Sequence, residues 1–395
     1  MYRCTIIGIS DSPTLRLSSE AMAVIARSRF FSGGKRHHAL VAHLLPEESR
    51  WVDITIPLQP VLEQYEQVDE VVVFASGDPL FYGFAATLRR AFPTCHLEVF
   101  PSFHSLQLLA HRLTLPYGPM RTVSLTGRPW NGLDEALIRG EQLIGVLTDR
   151  RKTPEAIHDR MHAYGYDNYR MYVGECLGSD TQERVSLFQP GRQYAHPNCL
   201  ILERTGSRTI PWGLPDTQFD LLDGRTRMLT KMPIRLCTLA ALELKEKRVL
   251  WDIGFCTGSV SIEAKLHFPH LHVIAFEKRA EGHQLMESNT RRFGTPGIDT
   301  FIGDFFDMDL TSLEQPDAVF IGGHGGRLKE MVTHLHPLLR EDGCIVFNSV
   351  TEESLMLFQQ AAMENGLTCE HWHTIQVDDH NPITILRVKS RESRG

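Results

Sequence analysis

The amino-acid sequence predicts an α/β protein built from two domains. Its 395 residues exceed what one ordinary hydrophobic core accommodates, so two domains are expected. In both halves, short apolar runs end in glycine-containing turns that lead into helix-like segments, a pattern typical of parallel sheets covered by helices. The composition, 42% hydrophobic and 23% charged, is that of a globular protein.

The clearest pattern lies in the C-terminal half, between Arg248 and Glu277. An apolar run ends on Asp252, a small-residue turn runs from Gly254 to Gly258, a helix-like segment follows, and a second apolar run ends on Glu277. This order predicts a nucleoside-binding βαβ unit, in which the N–H groups of the turn and the helix receive an anionic part of the ligand. Glu277 lies about 20 residues past the turn and is expected to hold ribose hydroxyls. An ordinary crossover without a ligand is the alternative.

The N-terminal half begins with a buried strand, Thr5–Ile9, that ends in a glycine turn. A helix over residues 17–28 and a short strand from Phe30 that breaks at residues 32–34 follow. The basic cluster Lys35–His38 comes next. It is either a solvated loop or a binding site for substrate carboxylates, with which Arg and Lys pair well.

A second ligand loop is predicted after the buried strand 71–76. It starts with Gly77, Asp78 and Pro79, and an alanine-rich helix over residues 84–92 follows it. Loops at the carboxyl ends of parallel strands are where ligands bind in open α/β sheets. The glycine frees the backbone and the proline stiffens the turn. A plain strand-to-helix turn is the alternative interpretation.

The run Gly-Asp-Pro-Leu-Phe-Tyr-Gly at residues 77–83 resembles the cofactor loop of the tetrapyrrole (class III) methyltransferases, and within them the CbiE branch. Segments 33–37, 123–129 and 173–178 resemble further parts of that branch, whereas His104 departs from its common serine and is expected to be a loop or helix-cap residue. The resemblance implies a set of cofactor-binding residues and a set of substrate-binding residues. The cofactor-binding residues are Gly77, Asp78, Pro79, Tyr82 and Ser105, and the substrate-binding residues are Lys35, Arg36 and Arg128.

In the C-terminal half, Asp252, Gly254 and Gly258 resemble the first motif of class I S-adenosylmethionine-dependent methyltransferases, with Cys256 in place of the usual middle glycine. Residues 230–235 and 317–326 resemble signatures of the CbiT branch. The resemblance implies that cofactor is bound by Asp252, Gly254, Thr257, Gly258 and Glu277, with Asp304 meeting the adenine amino group, and substrate by Lys231, Arg235, Gly322 and Gly323. His324 replaces a common serine of this loop. It is either a catalytic proton shuttle or a neutral change at a variable position.

The two halves together resemble the fused CbiE–CbiT methyltransferases of cobalamin synthesis. That resemblance implies a tetrapyrrole methylase domain at residues 1–204 and a Rossmann-like class I domain at 215–395. Residues 205–214 between them are predicted to be a linker, because they contain Gly206, Pro211 and Gly213. It further implies S-adenosylmethionine as the methyl donor and a polycarboxylate tetrapyrrole as the substrate. The N-terminal domain would methylate carbon 5, and the C-terminal domain would methylate carbon 15 and remove carbon dioxide from an acetate side chain.

Composition narrows the remaining possibilities. A net charge of −7 argues against a nucleic-acid binder, and no apolar run is long enough to cross a bilayer. The eight cysteines form no Cys-x-x-Cys pair, so no metal site is expected and a cytoplasmic location fits. A homo-oligomer is also expected. The alternatives are a two-domain methyltransferase of another tetrapyrrole, a nicotinamide-dependent oxidoreductase, and a tetrapyrrole carrier without turnover. Whether the macrocycle carries cobalt is left open.

Overall fold

The structure of the chain is a computed structural model that describes residues 3–12, 15, 17–222, 225, 228–379 and 381–389. By the density of its contacts the chain divides into two compact units. One comprises Met1–Pro129, Glu141–His158 and Tyr169–Gly206; the other comprises Trp130–Gly140, Asp159–Asn168 and Ser207–Gly395. The domain boundaries expected from the sequence stay predictions.

The chain before residue 207 alternates strands and helices. The strands are β1 (Arg3–Ile9), β2 (Phe30–Gly33), β3 (Arg50–Asp53), β4 (Glu70–Ser76), β5 (His96–Phe100), β6 (Arg121–Ser124), β7 (Leu143–Leu147), β8 (Tyr169–Glu175), β9 (Arg184–Leu187) and β10 (Asn198–Arg204). The helices are α1 (Ser19–Arg27), α2 (Lys35–Val41), α3 (Gln59–Glu66), α4 (Ala85–Ala91), α5 (Ser105–Leu113), α6 (Asn131–Arg139) and α7 (Pro154–Ala163).

These strands form two sheets. The first is parallel, with the order β3-β2-β4-β1-β5, and its central strands β1 and β4 pair from Arg3 with Glu70 to Ile9 with Ser76. Val71 to Phe74 are fully buried, as expected for a parallel strand covered on both faces. The second sheet has the order β6-β7-β10-β8-β9 and is parallel only between β6 and β7.

The C-terminal residues form one seven-stranded sheet. Its strands are β11 (Val249–Ile253), β12 (His272–Glu277), β13 (Ile298–Ile302), β14 (Ala318–Ile321), β15 (Cys344–Ser349), β16 (Thr368–Ile375) and β17 (Ile383–Lys389). Its helices are α8 (Met232–Leu242), α9 (Ser259–His267), α10 (Glu281–Phe293), α11 (Leu328–Leu335) and α12 (Glu352–Glu364). The strand order is β13-β12-β11-β14-β15-β17-β16. Strands β12 and β13 are added on one side of β11 and strand β14 on the other, and an open α/β sheet forms its ligand crevice at such a switch point.

Three local expectations need correction. Lys35–His38 is not a loop, because α2 begins at Lys35 and the His37 imidazole accepts a hydrogen bond from the Gly34 N–H. Thr230, which the sequence predicts as the N-cap because threonine is favoured there, does not cap α8. Lys231 holds the N-cap position, and the Asp216 carboxylate accepts the N–H of Met232 at 3.1 Å. Strand β16, which pairs antiparallel with β17, was not predicted.

Within the described ranges, none of the helices has the length and apolar content that a membrane crossing requires. The same residues bring together no group of three or more His, Cys, Asp and Glu side chains suited to a metal ion.

Candidate functional site

The turn after β11 packs directly against the glycine loop after β14. Gly254 has a φ of +76°, and a Cβ placed on it would come within 2.6 Å of the Gly323 nitrogen. The N–H of Gly322 donates to the Ile253 carbonyl at 2.8 Å. The sequence predicted that Gly254 contacts cofactor and that Gly322 and Gly323 contact substrate, and the structure brings the two loops together.

Asp252, at the end of β11, carries an unsatisfied oxygen. Its Oδ2 accepts hydrogen bonds from the Ser261 N–H and hydroxyl, which caps the first turn of α9. Its Oδ1 is buried and has no hydrogen-bond partner in the described part of the chain. Burial, with a smaller contribution from the nearby Glu277 charge, raises the pKa of this carboxyl to about 7. A buried acceptor beside a cavity fits a ligand that carries a donor or a positive charge.

Glu277 ends β12 and holds the glycine turn in place. Its Oε2 accepts the Cys256 N–H at 2.9 Å, and its Oε1 accepts hydrogen bonds from the backbone N–H and the guanidinium of Arg279. An ionised carboxylate has about four acceptor positions, so Glu277 can still accept a hydroxyl. Cys256 has a φ of +52°. This is the left-handed conformation, which the glycine usual at this position of the motif adopts without strain.

Asp304 follows β13 and is held by positive groups. Its Oδ2 accepts a hydrogen bond from the Lys278 ammonium at 2.8 Å, and its Oδ1 accepts the Phe306 N–H at 3.1 Å. The Lys278 hydrogen bond, above all, lowers the pKa of this carboxyl, so Asp304 is an ionised acceptor at neutral pH. Arg327 stacks over the Phe306 ring at 3.6 Å.

These residues surround a cavity of about 610 Å³, within the usual range of small-molecule sites. The wall contains most of the residues predicted for this half of the chain. They are Lys231, Asp252, Gly254, Glu277, Asp304, Gly322, Gly323 and His324. An apolar part of the wall comes from the end of β15 and the β16–β17 hairpin. It consists of Val350, Ile375, Val377 and Ile383.

Thr257 and Gly258 do not line this cavity. Thr257 is buried, and its hydroxyl has no hydrogen-bond partner in the part of the chain that the structure covers. Gly258 has a φ of +75° and precedes α9, so it shapes the turn through its backbone.

His324 is placed as a hydrogen-bond donor to the cavity. Its Nδ1 accepts the Gly326 N–H at 3.2 Å, so the proton of the neutral ring is on Nε2. Burial lowers the pKa of this imidazole, which favours the neutral form.

Arg235 is not placed to contact substrate. Its side chain is fully buried and donates to Glu263, Asp216 and the carbonyl oxygens of Thr230 and Leu214. A guanidinium with this many protein acceptors has little donor capacity left. The expectation from the sequence is corrected in this respect, because the sequence shows the charge of a residue but not its burial.

The predicted loop of the N-terminal half lies where β1, β4 and β5 end. Gly77 has a φ of +62°, and a Cβ there would come within 2.8 Å of the His104 Cα. A Cβ on Gly8 would come within 2.0 Å of the Gly77 oxygen. Both glycines are therefore required by the close approach of three backbones at this sheet edge.

Aromatic contacts fix the rest of this loop. Asp78 Oδ1 accepts the Leu80 N–H at 2.8 Å and closes the turn that contains Pro79. The Phe81 ring stacks on His104 with centroids 3.6 Å apart, and His104 Nδ1 accepts the Gln107 N–H at the start of α5. The expectation that His104 is a helix cap is confirmed.

Two predicted residues meet at Tyr82. Its hydroxyl donates to the Thr122 carbonyl at 2.9 Å, and the Arg128 guanidinium lies 4.9 Å from the centre of its ring. Tyr82 has a φ of +52°, so this tether holds the end of the loop in a strained conformation.

A smaller cavity, about 230 Å³, adjoins this loop and is lined by Gly77, Ser105 and Arg36 among the predicted residues. Arg36 donates to Asp11 at 2.8 Å and to the Ser76 hydroxyl at 3.0 Å. Lys35 is exposed at the start of α2. Asp78, Pro79, Tyr82, Lys35 and Arg128 lie outside the cavity wall.

Sequence reasoning missed several residues that shape these sites. The Phe81–His104 stack, the Asp11–Arg36 pair and the partners of Asp304 are set by tertiary packing. Only Lys278, directly after the predicted acid Glu277, carried a local signal.

Both sites suit S-adenosylmethionine. The glycines let neighbouring backbones approach one another closely at both sites, and the larger cavity offers the orphaned Asp252 oxygen together with Glu277 and Asp304. These acceptors match a cationic, hydroxyl-bearing nucleoside.

Comparison with known proteins agrees with this fold. Residues 3–188 match the family described as Tetrapyrrole (Corrin/Porphyrin) Methylases, and residues 223–388 match the Precorrin methyltransferase domain. The precorrin-6Y C(5,15)-methyltransferase [decarboxylating] of Sinorhizobium sp is 32% identical over 375 residues, covering 92% of this chain and 89% of that protein.

Shorter relatives match one half. The cobalt-precorrin-6B C(15)-methyltransferase (decarboxylating) of Salmonella typhimurium is 38% identical over 138 residues, 34% of this chain and 68% of that protein. A crystal structure of precorrin-6y C5,15-methyltransferase from Geobacter metallireducens is 30% identical with a TM-score of 0.42, covering 45% of this chain and 96% of that chain.

The fold and the two sites define an S-adenosylmethionine-dependent methyltransferase with two unlike methyltransferase domains. The similarity to the Sinorhizobium sp protein extends over 92% of the chain and therefore includes both domains. The chain belongs to the precorrin-6Y C(5,15)-methyltransferase (decarboxylating) family.

Proposed function

We propose that this chain methylates carbons 5 and 15 of a corrin precursor, precorrin-6Y or its cobalt counterpart, and removes carbon dioxide from an acetate side chain. Carbon 5 is methylated at the Gly77 loop, and carbon 15 is methylated in the cavity lined by Asp252, Glu277 and Asp304. The observation that carries the proposal is the presence of two dissimilar glycine loops, each at the carboxyl edge of its own parallel strands. Similarity to the Sinorhizobium sp protein over most of both chains supports it.

The sulfonium of the bound cofactor supplies an activated methyl group, so the protein's task is to align the accepting carbon. Glu277 and Asp304 orient the nucleoside through its hydroxyl and amino groups. The Gly322–Gly323 backbone leaves a side-chain-free face for the flat macrocycle. The apolar wall of Val350, Ile375, Val377 and Ile383 covers the macrocycle and excludes water from it.

The substrate is a polycarboxylate, and cations near both cavities are its proposed partners. At the larger cavity this cation is Lys231, whose ammonium is 3.9 Å from Asp216 and forms no shorter ion pair in the described part of the chain. At the smaller one Lys35, Arg36 and Arg128 take this role. The Nε2–H of His324 donates a hydrogen bond to a substrate oxygen, and His324 does not act as a proton shuttle.

The proposal is tested with the full-length chain, precorrin-6Y and isotope-labelled S-adenosylmethionine, with methyl groups and carbon dioxide loss counted by mass. Two transfers and one decarboxylation are expected. Asp78→Ala should stop transfer at carbon 5 alone, and Glu277→Gln should stop transfer at carbon 15 alone. If either change stopped both transfers in a folded protein, the assignment of carbons to sites would be wrong. No transfer to precorrin-6Y or to its cobalt form would overturn the proposed function.

The same preparation tests the remaining expectations. Calorimetric titration with S-adenosylhomocysteine and with NAD separates a methyltransferase from a nicotinamide-dependent enzyme. The proposed homo-oligomer is tested by light scattering. The proposed cytoplasmic location is tested by fractionation of the producing cell.

A further inference from the structure

The buried Arg235 connects three segments around the larger cavity. Its Nε donates to Glu263 on α9, and its Nη2 donates to the Leu214 carbonyl. Its Nη1 donates to the Thr230 carbonyl at 2.6 Å and to Asp216 Oδ1 at 3.0 Å. Thr230 and its neighbour Lys231 belong to the cavity wall, whereas Arg235 does not.

The segment 212–216, which we call the strap, contacts Arg235 and two residues of α9. The Leu214 N–H donates to Glu263 Oε1 at 3.0 Å, so Leu214 uses both its backbone groups here. Trp212 stacks on His267 of α9 with centroids 3.8 Å apart. The carboxyl end of the expected linker is therefore a packed element and not a free tether.

Asp216 is the acid shared by two cations. Arg235 approaches it to 3.0 Å, and the Met232 N–H donates to it at 3.1 Å, whereas the Lys231 ammonium remains 3.9 Å away. The lysine is thus beyond hydrogen-bond distance of an acid that is already satisfied. Without the substrate, the two positive charges of Arg235 and Lys231 are offset by two negative charges, those of Asp216 and Glu263.

We propose that Arg235 is a positioning residue for substrate recognition, an inference that rests on the proposed function of this cavity. Arg235 fixes the cavity edge through the Thr230 carbonyl. By engaging Asp216, it leaves the Lys231 ammonium available to a carboxylate of the macrocycle. Without Arg235, Asp216 draws Lys231 into a close ion pair, and the substrate loses its cation.

The test measures KM and kcat for each methyl transfer with the full-length chain. Arg235→Lys is expected to raise the KM for the macrocycle at carbon 15 roughly tenfold, the effect of losing one charged hydrogen bond. The kcat at carbon 15, cofactor affinity and both constants at carbon 5 should change less than about threefold.

Arg387 provides the matched control. It is also buried, donates to Glu370 and Glu243, and stacks on Trp372 at 4.1 Å, but it lies on β17 and contacts no part of the strap among the described residues. Arg387→Lys should lower the unfolding temperature without raising the KM at carbon 15. Equal KM changes in the two variants would overturn the inference.

A rescue experiment separates charge from structure. Adding Asp216→Asn to Arg235→Lys removes the acid that captures Lys231 and keeps an acceptor for Met232, so the KM should return toward the wild-type value. A further rise in KM would show that capture of Lys231 by Asp216 does not cause the defect, and it would overturn the proposal.

Lys231→Met tests the proposal even if the Arg235 variant does not fold. This change should raise the KM at carbon 15 by a similar factor, and an unchanged KM would overturn the proposal. Failure of the wild-type protein to transfer any methyl group would instead count against the proposed function, because this inference is judged only on the KM pattern of an active enzyme.

Discussion

Gly254 lies so close to Gly323 that a single added carbon on the first would reach 2.6 Å from the backbone nitrogen of the second. Gly254→Ala must therefore push two loops apart or displace the cofactor. We expect carbon 15 transfer to fall at least a hundredfold, which corresponds to about 3 kcal/mol, with carbon 5 transfer unchanged. Gly366→Ala is the control, because its Cβ meets nothing within 4 Å, it lies outside the cavity wall, and it adds only the strain of a φ of +69°. Equal losses in both variants would contradict this account.

Cys256→Gly should stabilise the C-terminal sheet. Cys256 has a φ of +52°, a left-handed conformation that costs a non-glycine residue roughly 1–2 kcal/mol. The greater freedom of glycine in the unfolded chain offsets part of this gain, so we expect a net increase of about 0.5–1 kcal/mol in urea unfolding. Cys256→Ala keeps the strained backbone and should show no such gain. A loss of stability in the glycine variant would mean that the thiol packing outweighs the strain.

The affinity of the larger cavity for S-adenosylmethionine should rise with pH. Burial raises the pKa of Asp252 to about 7, and a cationic ligand prefers the ionised carboxylate. The dissociation constant should therefore fall roughly tenfold between pH 6 and pH 8, when measured calorimetrically in an Asp78→Ala background. S-adenosylhomocysteine, which lacks the sulfonium charge, should show a flatter profile, as should Asp252→Asn. Parallel profiles for the two ligands would contradict this electrostatic role.

His104 should contribute to the carbon 5 site through two separable contacts. Its Nδ1 caps α5, and its ring lies 3.6 Å from Phe81 of the cofactor loop. His104→Ala loses both contacts and should cost about 1–2 kcal/mol in unfolding, together with weaker cofactor binding at this site. His104→Ser can keep the cap and lose only the stack, so it should recover stability but not cofactor affinity. Full recovery of both by serine would rule out a role for the stack.

His272 should make stability depend on pH. The protonated imidazole donates hydrogen bonds to Asp299 at 2.8 Å and to Glu314 at 2.7 Å, and these contacts, the Asp299 one above all, raise its pKa against the effect of burial. A raised pKa in the folded protein stabilises the fold at pH values below about 6.5, the pKa of histidine in the unfolded chain. This stabilisation is lost as the pH rises through the pKa of the folded state.

The pKa of Asp299 is lowered by the same contact, so its contribution appears above about pH 4 and is lost as the pH falls. The free energy of unfolding measured in urea should therefore be highest between about pH 4 and pH 6.5. The change with pH should be below about 1 kcal/mol, because both acids are largely exposed. His272→Gln should flatten this profile, and an unchanged profile would show that other groups cause it.

The sequence predicted elements whose signal is local and ordered. The run from β11 through α9 to Glu277 was predicted because apolar strands, a small-residue turn and a terminal acid follow one another in the chain. The helices predicted over residues 17–28 and 84–92 lie at Ser19–Arg27 and Ala85–Ala91.

Features that depend on distant partners were not predictable. Strand β16 lies at the edge of its sheet and pairs with β17. It has exposed polar residues on both faces, so its sequence lacks apolar alternation. Arg235 was expected to bind substrate because nothing near it in the sequence identifies Glu263 as its partner, 28 residues away. Cys256 was recognised as a substitution, but its left-handed backbone is a property of the folded turn.

The stack of Trp212 on His267 gives the strap an optical signal of its own. Trp251 is fully buried in the core, whereas 71% of Trp212 is exposed to solvent. A dissolved quencher such as iodide can therefore reach Trp212 but not Trp251. Quenching of the Trp212 emission by iodide would report detachment of this segment from α9 without any label.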